Sequence, residues 1–67
     1  MIALTINGMA RRFDDPLTVA ELLERLDLSG KRIALERNGE IVPRGSFKDQ
    51  RLADGDKLEV VVAVGGG

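Results

Sequence analysis

Lys57-Leu58-Glu59-Val60-Val61-Val62-Ala63-Val64, running into Gly65-Gly66-Gly67, is the stretch on which the fold turns. A strand with one wet face alternates apolar and polar residues, whereas a strand in the middle of a sheet is apolar on both sides. From Val60 to Val64 every residue is apolar, so this segment is a central strand and its neighbours must come from elsewhere in the chain. Alternation along it puts Leu58, Val60 and Val62 on one face and Val61 and Ala63 on the other. The glycines that follow lack Cβ, so they can thread a narrow cleft. Three extended residues carry a carboxylate about 10 Å beyond the strand. Such a tail is either a reacting group on a flexible arm or a frayed end.

Working back from the strand, Asp54-Gly55-Asp56 is a turn, and Pro43-Arg44-Gly45 breaks a preceding strand. Between them, Ser46 to Leu52 is irregular or a single helical turn, with Phe47 and Leu52 turned inward. Ile33 to Arg37 and Glu40 to Val42 flank Asn38-Gly39, a pair that tolerates positive φ in a tight hairpin. At the N-terminus, Ile2, Leu4 and Ile6 alternate with Ala3, Thr5 and Asn7. Asn7-Gly8 then turns the chain into a return strand, Met9 to Phe13. Thr18 and Glu21 have the spacing of a capping box, and Leu17 and Leu22 that of a hydrophobic staple. Val19, Leu22, Leu23 and Leu26 follow one helical face, and Ser29-Gly30 supplies a left-handed stop, which predicts about three turns.

The order is strand, strand, helix, strand, short strand, strand. A hairpin, a helix and a last strand returning to the sheet centre make a β-grasp (ubiquitin-like) fold of class α+β, a mixed sheet of four to five strands packed on one amphipathic helix. Residues 1–64 form one such domain, and residues 65–67 a flexible glycine tail. Val61 and Ala63 would lie on the face away from the helix, beside Ala3 and Thr5. That face is small and weakly charged, either a docking surface or an ordinary exposed sheet face.

Composition narrows the chemistry. The 67 residues contain no cysteine and no histidine, which removes thiol nucleophiles, imidazole bases and sulfur or nitrogen metal ligands. Asp54 and Asp56 are turn-formers rather than metal ligands, since two carboxylates alone make a poor site. No acid–base or nucleophilic constellation stands out, so a catalyst in its own right is not expected. Ten basic residues against eleven acidic ones, with two phenylalanines as the only aromatics, disfavour nucleic-acid binding. The apolar opening Met1 to Ile6 is too short for a membrane span and has no basic leader. Absent cysteines fit a reducing compartment, and a cytoplasmic protein is expected.

At this point the chain resembles the ThiS group, the bacterial sulfur carriers of thiazole formation in thiamine biosynthesis. The resemblance covers nearly its whole length. It rests on the short first strand with its Asn turn, Leu17-Thr18-Val19-Ala20-Glu21-Leu22-Leu23, Asn38-Gly39-Glu40-Ile41-Val42-Pro43-Arg44, Leu52-Ala53-Asp54-Gly55-Asp56 and terminal Gly66-Gly67. Each motif is weak singly; their order and spacing are specific. Glu36-Arg37 departs from the pattern, since this strand is more commonly apolar there.

The resemblance implies that the carboxylate of Gly67 is adenylated by a ubiquitin-activating-type adenylyltransferase using ATP. Sulfur from a persulfide donor then makes it a thiocarboxylate, which serves thiazole synthase. It also implies that Gly66 admits the tail to the partner's cleft, that Gly65 extends its reach, and that Val61 and Ala63 belong to the docking face. No bound cofactor is implied, because ATP is consumed by the partner. The small subunit of molybdopterin synthase uses the same chemistry but often carries a Phe-Pro-Pro-like stretch where this chain has Val61-Val62-Ala63-Val64. A ubiquitin-like modifier and a passive β-grasp interaction module are the other readings.

Overall fold

A computed structural model describes residues 1–63 of the chain. Five strands, one α-helix and one 3-10 turn occur in the order β1 (Ile2–Ile6), β2 (Met9–Phe13), α1 (Val19–Arg25), β3 (Ile33–Arg37), β4 (Glu40–Val42), the 3-10 turn (Arg44–Ser46) and β5 (Lys57–Val62). The sheet order is β2-β1-β5-β3-β4. β5 is central, parallel to β1 and antiparallel to β3, and the two hairpins close the edges. This is the mixed β-grasp sheet expected from the apolar last strand. Both hairpins turn on an Asn-Gly pair with positive φ at each residue: 51° and 82° at Asn7-Gly8, 52° and 87° at Asn38-Gly39. That handedness matches the right-handed twist of the flanking strands.

One face of the sheet is dry. Ile2, Leu4 and Ile6 of β1, Ile33 and Leu35 of β3, Val42 of β4, and Leu58 and Val60 of β5 are buried together with Leu17, Val19, Leu22, Leu23 and Leu52. Phe13, Leu26, Leu28 and Phe47 pack partly buried against this cluster. Val62 shares the inner side of β5 by alternation but is 38% exposed, because it stands at the strand's last position.

The helix begins where the sequence places it. The Thr18 hydroxyl accepts the Glu21 N–H at 3.1 Å, and Glu21 Oε1 accepts the Thr18 N–H at 2.9 Å. The next amides are satisfied from outside, Val19 donating to the Gln50 carbonyl and Ala20 to that of Phe47, each at 2.9 Å. The first turn therefore needs no water to satisfy its donors, and the segment after the 3-10 turn is held against it.

The helix end differs from expectation. α1 has seven residues, about two turns. Asp27, not Ser29-Gly30, takes the first left-handed conformation, with φ 61°. The Leu28 N–H reaches the Leu23 carbonyl at 2.8 Å and the Asp27 N–H that of Glu24 at 3.0 Å. These two bonds make a Schellman motif, in which Leu28 packs back on the helix. The apolar spacing of Val19, Leu22, Leu23 and Leu26 predicts a longer helix because Leu26 contacts the core from the cap and not from a third turn.

Candidate docking face and C-terminal tail

β5 carries two different surfaces because its side chains alternate across a sheet that the helix covers on one side only. Leu58 and Val60 point into the core; Glu59 and Val61 point away from it. Val61 is 62% exposed and directly opposite Ala34 of β3. Ala63 is also exposed and donates its N–H to the Arg32 carbonyl at 2.9 Å, so antiparallel contact continues just past the strand. The face assignment made from alternation holds for both.

Their neighbours do not. The parallel register sets Thr5 opposite Lys57 and Ile6 opposite Leu58, so β1 ends before it reaches the level of Val61. Ala3 lies farther back still, its carbonyl accepting the Gly55 N–H at 2.8 Å. Ala3 and Thr5 are thus at the opposite end of β5 from Val61 and Ala63. Alternation assigns faces; it carries no information on the stagger between strands distant in sequence.

The outer face is also not weakly charged. Glu36 stands directly opposite Glu59, and on its other side opposite Ile41, which is 76% exposed. Arg37, the other family-atypical residue, turns inward. Its Nε meets Asp56 Oδ2 at 2.8 Å and its guanidinium reaches Gln50 Oε1 at 2.9 Å. Asp56 also accepts the Ala53 N–H at 2.8 Å and the Asn38 side-chain amide at 3.1 Å. Burial alone would raise the Asp56 pKa, but the Ala53 N–H, the Asn38 amide and the Arg37 guanidinium outweigh it and hold the carboxyl below its ordinary value. Asp54 accepts the Ala3 N–H at 2.7 Å. Both carboxylates of the Asp54-Gly55-Asp56 turn are therefore engaged by protein donors, which is the turn-forming role.

Sequence reasoning missed a pair of clamps on β5. Asn7 Oδ1 accepts the Val60 N–H at 2.7 Å, and Asn7 Nδ2 donates to the Val60 carbonyl at 3.0 Å. The side-chain amide thus takes over the pairing of β5 where the β1 backbone turns away into the hairpin. Asn38 does the same at the other end, its Oδ1 accepting the Lys57 N–H at 2.9 Å. The signal was the choice of Asn over Gly or Asp at the first turn position, since Asn alone offers both a donor and an acceptor.

Pro43 precedes the 3-10 turn and its carbonyl accepts the Ser46 N–H at 2.9 Å, a structural role. Gly65, Gly66 and Gly67, with Val64, lie outside the described residues. Among the described residues no helix is long and apolar enough to cross a membrane.

Three comparisons agree on kinship. The model of the ThiS family matches residues 4–67. The sulfur carrier protein ThiS of Bacillus subtilis is 35% identical over 65 residues, covering 96% of this chain and 98% of that protein. A thiazole synthase of Paramagnetospirillum magneticum is 47% identical over 64 residues, 96% of this chain, but the chain spans only 20% of that protein's length. The crystal structure of the thiamine biosynthesis protein ThiS from Geobacter metallireducens superposes with a TM-score of 0.83 at 35% identity, over 98% of this chain and all of that one.

Proposed function

The chain belongs to the ThiS family as a sulfur carrier of thiamine biosynthesis, and we propose that the group it loads is the carboxylate of Gly67. The observation that carries this is the family match itself, which runs through the glycines to residue 67. A carboxylate is a poor electrophile. Attack of its oxygen on the α-phosphorus of ATP, within a ubiquitin-activating-type adenylyltransferase, expels pyrophosphate and leaves an acyl-adenylate. A persulfide sulfur then attacks the acyl carbon and expels AMP. A thiol cleaves the resulting sulfur–sulfur bond, becomes oxidised to a disulfide with the donor, and releases the thiocarboxylate. That anion is a soft nucleophile at neutral pH, suited to giving sulfur to a thiazole synthase.

In this scheme the chain is a covalent substrate and its partners catalyse. It binds no cofactor of its own, and ATP is used by the adenylyltransferase. Gly66 and Gly65 let the carboxylate enter the partner's cleft, while Val61 and Ala63 contribute to docking. Likeness of the chain to part of a thiazole synthase supports that enzyme as the acceptor. The near-balanced charge argues against nucleic acid, and the absence of cysteine favours a reducing, cytoplasmic setting.

The missing cysteine also supplies the test. The chain is incubated with the adenylyltransferase, ATP and a persulfide donor, then treated with a thiol alkylator and fragmented. Label is expected at Gly67 and nowhere else, since the unmodified chain has no thiol. Gly67→Ala, or a tag after Gly67, should abolish labelling while leaving Tm unchanged, because the buried core lies between Ile2 and Val60. Undiminished labelling at Gly67 in the chain tagged after it, where that carboxyl is tied up in an amide, refutes the terminal-carboxylate mechanism.

A further inference from the structure

A cavity of about 280 Å³ opens between α1, the turn that ends it and the segment of the 3-10 turn. Its floor is apolar, made by Leu23 of the helix, Leu28 of the Schellman turn and Phe47 after the 3-10 turn. Leu28 and Phe47 pack on the core yet stay partly exposed. Three exposed cations, Lys31, Arg44 and Lys48, stand at the wall against one anion, Glu24. None of these four makes an ion pair among the described residues. An apolar floor under a net positive wall fits an occupant with one apolar side chain and one negative charge. The space lies at the low end for a small-molecule site, about 300–1,000 Å³, and is too small for a partner's helix, about 10 Å across.

The chain itself supplies such an occupant beside the cavity. Ala63 donates its N–H to the Arg32 carbonyl at 2.9 Å, and Arg32 directly follows Lys31 of the cavity wall. Because β5 runs antiparallel to β3, the course beyond Ala63 leads past Arg32 toward Lys31. Four residues follow Ala63, with a reach of at most about 14 Å. They hold one apolar side chain, Val64, and end in a carboxylate at Gly67. The alternation that turns Leu58 and Val60 inward gives position 64 the same parity, toward the side of the helix.

We propose that this cavity is a resting seat for the chain's own C-terminal segment, with Val64 on the Leu23–Leu28–Phe47 floor and the Gly67 carboxylate among Lys31, Arg44 and Lys48. Glycine suits the return, since it takes the backbone angles that a doubling chain requires. Exposed cations each contribute little, so the seat is shallow and yields to an enzyme's cleft. The inference rests on the proposed function, in which Gly67 is the terminal and loaded residue, and adds a state in which that group waits between partners.

NMR of the isotopically labelled full chain tests the seat without any partner enzyme. Nuclear Overhauser contacts are expected between the Val64 methyls and the Phe47 ring, and they should persist on dilution. Lys31→Glu combined with Lys48→Glu should abolish them, whereas Arg12→Glu, on the far edge strand β2, should not. In ATP–pyrophosphate exchange with the purified adenylyltransferase, the double variant should lower the KM for the carrier about two- to threefold, because the wild-type tail is available only part of the time. Absence of the contacts in the wild type overturns the seat. So does their loss on dilution, which would place the tail in the cavity of a second copy, and so does an unchanged or raised KM in the double variant. None of these results touches the Gly67 mechanism, which falls instead if the wild-type chain supports no exchange and takes no label at Gly67.

Discussion

Asp56 sits at the entry to β5, where its two oxygens take the Arg37 guanidinium, the Asn38 amide and the Ala53 N–H. Its lowered pKa means that the folded chain favours the carboxylate. The sign follows: this contribution is fully present above the unfolded value, near pH 4, and is lost as pH falls through the lower folded value. Denaturant unfolding of the wild type should therefore show stability dropping on acidification below about pH 4. Asp56→Asn should cost about 2 kcal/mol at neutral pH, since the guanidinium loses its charged partner, and should flatten that acid slope. A residual slope will remain from Glu21, whose pKa is lowered by hydrogen bonds from the Thr18 backbone and hydroxyl. An acid slope identical in the variant would show that Asp56 is not the coupled group. The Thr18–Glu21 box was legible in the sequence because its partners are three residues apart; the Asp56 clip was not, because Arg37 is 19 residues away and no local pattern joins them.

All five strands and both hairpin turns were legible as elements, since a period of two and an Asn-Gly pair are local signals. The end of α1 was not. The sequence offers Gly30 as the obvious left-handed residue, yet the chain turns left-handed at Asp27, where the Schellman bonds close earlier. An L-residue with a Cβ is strained in that conformation, and glycine is not. Asp27→Gly should therefore stabilise the fold by about 0.5–1 kcal/mol, read as a higher Tm and denaturation midpoint with an unchanged slope. Loss of stability instead would show that the Asp27 side chain contributes more than its backbone strain costs.

At the scale of the whole molecule the two faces of the sheet differ: one carries the core, the other exposes Glu36, Ile41, Glu59 and Val61. Val61→Asp should weaken binding to the adenylyltransferase about tenfold or more in calorimetry, while Tm shifts by no more than a few degrees. Leu58→Asp should unfold the chain, because it places an unpaired charge in the core. A Val61→Asp chain that unfolds would mean this face is structural. The division into a buried and an exposed face was legible from alternation, and the match of residues 4–67 to the ThiS family bears out the family resemblance. The cross-strand neighbours were not, because β1 and β5 are joined only through the whole fold. β5 is also a mechanical element. It is gripped by β3 from Leu58 to Val62 on one side, and on the other by β1 at Lys57 and Leu58 with Asn7 taking over as far as Val60. Traction on the last residues acts along the strand and across these hydrogen bonds, loading them in shear so that they must fail together and not one by one. An enzyme can thus haul on the end of the carrier without dragging the last strand out of its sheet.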